Sequence, residues 1–315
     1  MYKMTDILLI NPPSTTVQNN PISFGLAYIG SYLEKHGFSV KILDLSIDRK
    51  TDSEILDYIG LVKPKKVGLS CMSVHVSFAD RISKKIKSRF SKIQLLLGGI
   101  HPTALPEKTV KELKHFDVFV LGEAELTVLE LMKDVELSKV NGIAYLKNNK
   151  VVINPPRAMI EDLDILPFPA RHLFPDMKNY NLGFDWEGKK PAAMVFTSRG
   201  CPFNCIYCAS KVMWKRKVRF RSAENVLKEV DFLVKKYGVK EILFYDDHFT
   251  LNKNRLIAIC EGLIKKQKEY KVSWCCLSRT DSLDLKMAKL MKKSGCHMIS
   301  FGVESGSQTF LNAME

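Results

Sequence analysis

Apolar positions in the first half of the chain fall into short runs, each ended by a polar or glycine-rich turn and followed by a helical pattern. Residues 6–10 form one such run and stop at the breaker Asn11-Pro12-Pro13. Residues 24–35 place Leu26, Ile29, Gly30 and Leu33 on one side and end at Gly37, which predicts a helix. Further strands are expected at 39–43, 66–70, 93–97 and 117–121, with helices around 55–59, over 78–90 and from 126 to 133. Apolar strands separated by helices imply a parallel sheet covered on both faces, hence a doubly wound, Rossmann-like α/β domain over 1–140. The loops that follow the strands read NPPSTT, DLSIDR, CMSVH, GGIHPTALP and GEAE. They share the carboxyl edge of the sheet, where open α/β sheets bind ligands. Gly98 and Gly99 ahead of His101-Pro102 permit backbone to approach a large flat partner, or serve simply as a tight turn.

Residues 142–153 read as a hairpin turned at Asn148-Asn149, and five prolines between Pro155 and Pro175 mark an extended linker, so 141–190 is set apart. A second alternation follows. Strands are expected at 192–197, 240–245, 272–277 and 298–303, with helices at 223–236, 253–268 and 283–293. Repeated βα units in one direction predict a partial (βα) barrel over 191–315. The sequence stops at Glu315, inside the helix due after the fourth strand, with too few units to close a barrel. The expectation is a C-terminally incomplete chain, its open edge completed by a missing segment or another polypeptide.

Composition changes this picture little. The runs at 7–10 and 95–97 are far too short to cross a bilayer, and MYKMTDILLINPP lacks a signal-peptide pattern, so a cytoplasmic protein without a membrane span is expected. A net charge of +14 permits an anionic partner, but the lysines of KKIKSRFSK and KKQKEYK are spread along amphipathic helices as a solvated face; nucleic acid is not the expected partner. Cys71, Cys260, Cys275, Cys276 and Cys296 lie in or beside apolar segments and read as buried small hydrophobes in a reducing compartment.

The other three cysteines carry the chemistry. TSRGCPFNCIYCAS sets Cys201, Cys205 and Cys208 in one loop, spaced C-x-x-x-C-x-x-C, directly after a predicted strand. Structural zinc and most iron–sulfur clusters take four protein ligands. Zinc would need a fourth ligand, a redox C-x-x-C would not need Cys201, and an electron-carrying cluster would want a fourth cysteine nearby. RGCPFNCIYC resembles the cluster loop of the radical S-adenosylmethionine (SAM) superfamily. The resemblance implies metal ligation by Cys201, Cys205 and Cys208, which hold three irons of a 4Fe–4S cluster while the fourth iron chelates SAM. It also implies adenine contact at Tyr207. YDDHFT resembles the element that receives the SAM amino group, giving Tyr245, Asp246 and Asp247. CCLSRTDSL supplies Arg279 for the carboxylate or ribose, and FGVESGS supplies Glu304 and Ser305. Each of these side chains taken alone also suits a capping or ion-pair role.

The N-terminal stretch and the phrase DLDILPFPAR resemble the cobalamin-binding-domain subfamily of radical SAM proteins, which includes methyltransferases, tetrapyrrole cyclases and hopanoid methylases. That resemblance makes Asn11, Pro12, Ser70, Ser73, Gly98, Gly99, His101, Gly122 and Glu123 candidate cofactor contacts. The cobalt-ligand motif D-x-H-x-x-G is absent, and His36 reads as a helix-end cap. The implied activity is reductive SAM cleavage, with methylation or a related radical modification of an unactivated carbon in a small-molecule, lipid or tetrapyrrole-type substrate. A flavodoxin or ferredoxin would supply the electron. Two rivals remain open: a truncated, non-catalytic iron–sulfur or cobalamin-binding module, and a tRNA-modifying methylthiotransferase. The latter would require three more N-terminal cysteines, where only Cys71 occurs.

Overall fold

The computed structural model describes residues 5–14, 21–180 and 188–314. Residues 1–4 of the N-terminal stretch, Thr15 and Thr16 of the first loop, and Asn181 at the end of the proline-rich segment lie outside the described residues. Two compact units emerge, Met1–Ile160 with Leu166–Asp176, and Glu161–Ile165 with Met177–Glu315.

In the first unit, strands β1 (Ile7–Asn11), β2 (Val40–Asp44), β3 (Lys66–Ser70), β4 (Gln94–Gly98) and β5 (Val118–Val120) pair in parallel in the order β2-β1-β3-β4-β5. Helices α1 (Phe24–Lys35), α2 (Asp52–Val62) and α3 (Val76–Arg89) connect them. Ile7, Leu8, Leu9 and Ile10 are all buried, as a strand covered on both faces requires. Thr51 and Glu54 form a reciprocal capping box that fixes the start of α2, and the His36 ring bonds the Tyr32 carbonyl at the end of α1.

Two features depart from the sequence-based expectation. The stretch after β4, read as a loop, coils into α4 (Ile100–Ala104) and α5 (Pro106–Glu112); Pro106 occupies the first position of α5, where its missing N–H costs nothing. After α6 (Glu125–Met132), the hairpin β6 (Ile143–Lys147) and β7 (Lys150–Ile153) does not stand apart but adds two antiparallel strands beside β5. Its turn places Asn148 and Asn149 at φ 50° and 59°, the left-handed pair that a two-residue hairpin demands.

In the second unit, β8 (Ala192–Val195) is followed by a short antiparallel pair, β9 (Ser198–Arg199) with β10 (Arg219–Phe220), whose two strands bracket the cysteine loop and α7 (Ser210–Trp214). Helices α8 (Ala223–Tyr237), α9 (Lys253–Lys266) and α10 (Leu285–Lys293) alternate with β11 (Glu241–Phe244), β12 (Ser273–Ser278) and β13 (Cys296–Phe301), and α11 (Gln308–Met314) follows. The sheet order is β13-β12-β11-β8, parallel throughout. Paired residues in a parallel ladder share a face, so Ile242, Phe244, Trp274 and Cys276 stand on one side and Glu241, Leu243, Ser273 and Cys275 on the other. On the first side Phe244 stacks on Phe249 at 4.7 Å and meets Trp274 edge-on at 5.3 Å. Among the described residues no helix is long and apolar enough to cross a membrane.

Candidate functional site

The cysteine loop leaves β9 through Gly200, whose φ is +98° and whose added Cβ would collide with the Lys217 carbonyl oxygen. Only glycine turns the chain there. Cys201 and Cys205 are half-buried and Cys208 is exposed, all as free thiols. Each sulfur meets one N–H donor. The Phe203 backbone N–H serves Cys201, the Ser210 N–H reaches Cys208 Sγ at 3.4 Å, and Arg279 Nη1 lies 4.0 Å from Cys205 Sγ. Burial raises the Cys201 thiol above its ordinary value; Phe203 opposes this, while Asp247 and the two companion thiols add to it. Thiolate ligation therefore has to come with positive charge from bound metal.

Among the described residues one group of metal-ligating side chains has all its ligand atoms within 4.8 Å of one another, and it is not these three thiols. A donor set of three thiols in one loop fits an iron–sulfur cluster.

Around the loop, Arg279 spreads its guanidinium 3.9 Å above the Phe203 ring and pairs with Asp281 at 3.0 Å. Phe203 also touches His248, whose pKa is lowered by burial and by Arg279. The Tyr207 phenol bonds Glu304 and is pushed up to about 12, by desolvation first and then by Glu304 and Cys205. Glu304 is held at φ +62°, an unusual conformation for a non-glycine residue that marks a constrained turn. Ser305 Oγ accepts the Ser307 N–H, and Asp247 accepts the Ser210 hydroxyl at 2.6 Å. Tyr245 meets Phe196 edge-on. The geometry thus gathers Tyr207, Asp247, Arg279 and Glu304 beside the cysteines.

Asp246 is used differently. Its carboxylate is buried and filled by the Thr197 N–H at 2.6 Å, the Thr197 hydroxyl, the Ser198 N–H at 3.2 Å and Arg255 at 3.5 Å. Arg255 also donates to the Thr197 carbonyl and hydroxyl. This network ties the strand end that enters the loop to β11 and α9. Thr197, Gly200, Phe203, Ser210 and Arg255 escape the sequence reading. Arg255 did leave a signal, as a charge among the otherwise apolar buried positions Leu256, Ile259, Cys260 and Leu263 of α9.

In the first unit, the carboxyl edge of the sheet divides in the same way. Asn11 donates to the Asp44 carboxylate at 2.8 Å, and Glu123 accepts the Ile160 backbone N–H at 2.9 Å, so both have partners within the fold. Pro12 is buried beside Asn11. Ser70 ends β3, and Ser73 Oγ lies 3.0 Å from His101 Nδ1. His101 is buried, and its Nε2 has no hydrogen-bond partner among the described residues. Gly99, at φ +114°, packs on the Cys71 backbone, where a Cβ would come within 2.7 Å of the carbonyl oxygen. Gly122, at φ +73°, faces open space, and its N–H bonds Thr103 Oγ1. An orphaned buried imidazole beside glycine backbone with room in front of it fits a large polar ligand lying against β3–β5. An opening of about 380 Å³ flanks this edge, lined by Pro13, Ser14, Leu45, Ser46, Arg49, Lys50 and Thr51.

Comparison with known proteins bears directly on both edges. Residues 12–132 match the family model for the B12 binding domain and residues 195–315 that for the radical SAM superfamily. An uncharacterized methyltransferase of Pyrococcus horikoshii is 38% identical over 98% of this chain and 67% of its own length. The chain belongs to the cobalamin-binding-domain radical SAM family. The anaerobic magnesium-protoporphyrin IX monomethyl ester cyclase of Rubrivivax gelatinosus is 31% identical over 91% of this chain and 52% of its own. The cobalamin-dependent SAM radical enzyme OxsB, with aqua-cobalamin and SAM bound, superimposes with a TM-score of 0.81 at 24% identity, over 99% of this chain and 46% of OxsB. The chain therefore spans about half to two thirds of the length of these relatives.

Proposed function

We propose that this protein is a radical SAM enzyme that also uses cobalamin, and that it methylates or otherwise modifies an unactivated carbon of a small-molecule, lipid or tetrapyrrole-type substrate. The observation that carries the reading is the set of three thiols in one loop, each supplied with one N–H donor. When bound, the 4Fe–4S cluster and SAM supply one-electron cleavage chemistry able to open a C–H bond, and cobalamin supplies a transferable methyl group.

The chain's own residues bind and orient. Cys201, Cys205 and Cys208 hold iron, and their N–H partners stabilise negative charge on the sulfurs. Arg279, fixed flat on Phe203 and tethered by Asp281, offers a cation to the SAM carboxylate or ribose. Tyr207 and Glu304 form one wall for the nucleoside, with the phenol kept neutral, and Tyr245, Asp247 and Ser305 are further contacts of that wall. Asp246 positions the loop's root rather than touching ligand. In the first unit, Ser70, Ser73, Gly98, Gly99, His101 and Gly122 receive cobalamin. The electron comes from a flavodoxin- or ferredoxin-type donor in a reducing, cytosolic setting.

The test is anaerobic reconstitution followed by dithionite and SAM, with 5′-deoxyadenosine measured by chromatography. Product well above that of a Cys205→Ala control is expected. Folded, cluster-loaded protein that forms none would overturn the proposal.

A further inference from the structure

The second unit holds a metal-ligand set that the cysteine loop does not use. Glu241 opens β11, Cys275 lies within β12 and His297 is the second residue of β13. Their ligand atoms all lie within 4.8 Å of one another. Glu241 is fully buried, and its carboxylate accepts from His297 Nε2, from the Ser273 hydroxyl and, at 3.5 Å, from the Lys189 N–H. No lysine or arginine side chain pairs with it among the described residues. A buried carboxylate needs a compensating positive charge.

The pairing of the strands shows how the three meet. Glu241 lies opposite Ser273 and Leu243 opposite Cys275, which puts Glu241 and Cys275 on one sheet face. Between β12 and β13 the register slips, with Trp274 opposite Cys296 but Cys275 opposite Met298. His297 is the extra residue. Such a bulge re-aims a side chain, and here the imidazole comes to lie against Glu241. Gly188 closes the other side, where an added Cβ would collide with the Glu241 carboxylate. His297 remains partly exposed and leaves an entry path.

We propose that Glu241, Cys275 and His297 bind a single zinc-class divalent ion, with water at the fourth position. One carboxylate oxygen, one thiolate sulfur and one imidazole nitrogen make a donor set that zinc accepts. Bond lengths of about 2.0–2.3 Å place tetrahedral ligand atoms about 3.5 Å apart, so side-chain shifts of about an ångström, which part His297 from Glu241 to admit the ion, complete the site. Binding displaces the Cys275 thiol proton to solvent and requires the His297 Nε2 proton, which Glu241 accepts in the empty site, to move to Nδ1, after which thiolate and carboxylate together balance the two charges of the ion. The site lies at the amino-terminal ends of the strands, whereas the cysteine loop follows the carboxyl end of β8. It therefore clamps three strands and is independent of the cluster reading.

The experiment uses the chain with Cys201, Cys205 and Cys208 all changed to Ser, so that zinc cannot occupy the cluster loop. After incubation with zinc and dialysis, metal content is read by mass spectrometry, and cobalt loading is read by its thiolate charge-transfer absorbance. One zinc per chain, lost in Cys275→Ser and in His297→Ala, together with a cobalt–thiolate band lost in Cys275→Ser, is expected. If the triple variant fails to fold, crystals of the cluster-loaded chain grown with zinc give the same answer, through an anomalous peak at the zinc edge between Glu241 and His297. Folded protein without stoichiometric zinc, zinc undiminished in Cys275→Ser, or no anomalous peak would leave a plain histidine–carboxylate hydrogen bond and overturn the proposal.

Discussion

Replacing Asp246 by Asn probes how the fold holds the root of the cysteine loop. The side chains of Asp246 and Arg255 are 0% and 7% exposed, so solvent screens neither charge. The amide keeps an oxygen for the Thr197 N–H but removes the charge opposite Arg255. The guanidinium is then left with Thr197 oxygens and the faces of Phe220 and Phe249. Breaking a buried pair from one side costs about 3–5 kcal/mol, and the retained acceptor puts Asp246→Asn near about 3 kcal/mol. Removing both partners in Asp246→Asn/Arg255→Met leaves no uncompensated charge, and at least about half of the loss is expected to return. Urea unfolding followed by indole fluorescence isolates the second unit, because tryptophans 186, 214 and 274 all fall in its range and Trp274 is fully buried. A single-variant loss below about 1 kcal/mol, the size of an exposed pair, would refute the reasoning. So would a double variant whose loss equals the sum of the two single variants.

Three other outcomes follow from the same structure. Gly200→Ala, which forces a Cβ onto the Lys217 carbonyl in a left-handed turn, should destabilise the loop by at least about 2 kcal/mol and lower the iron retained after reconstitution. Burial lowers the His248 pKa below the ordinary value of about 6.5, so the unfolded chain binds the extra proton first. The resulting stability is complete above that pH and is lost as pH falls below it toward the folded-state value. His248→Gln should flatten the decline in the second unit's stability between pH 7 and 5 by up to about one proton, read by the same fluorescence titration. Asn149→Val, which places a β-branched residue at φ 59°, should cost about 1–2 kcal/mol and speed hydrogen exchange in β6 and β7 selectively.

The parallel sheets were legible because strands covered on both faces must be apolar throughout, and each run ends at a breaker. The cysteine loop was legible because its spacing alone distinguishes three ligands from four. What escaped were contacts made by side chains whose chemistry fits two roles. Asn11 and Glu123 looked like ligand contacts, yet an amide and a carboxylate serve equally well to fasten Asp44 and the Ile160 backbone. Asp246 shares the parity of the buried residues Ile242 and Phe244, a clue that it is buried with them. The helices α4 and α5 hid behind glycines and prolines that usually mark loops. The slip at His297 has no local sequence signature, because it arises from pairing with a strand more than twenty residues earlier.

Two of the three sulfur-directed N–H groups come from residues two positions from their cysteines, whereas Arg279 reaches Cys205 from 74 positions away. The midpoint potential of a cluster seated there is thus partly a tertiary property, set by how firmly the end of β12 is docked. Iron captured by a nascent chain before that docking would sit at a different potential. Arg279→Lys should likewise retune the couple while leaving all three thiol ligands in place.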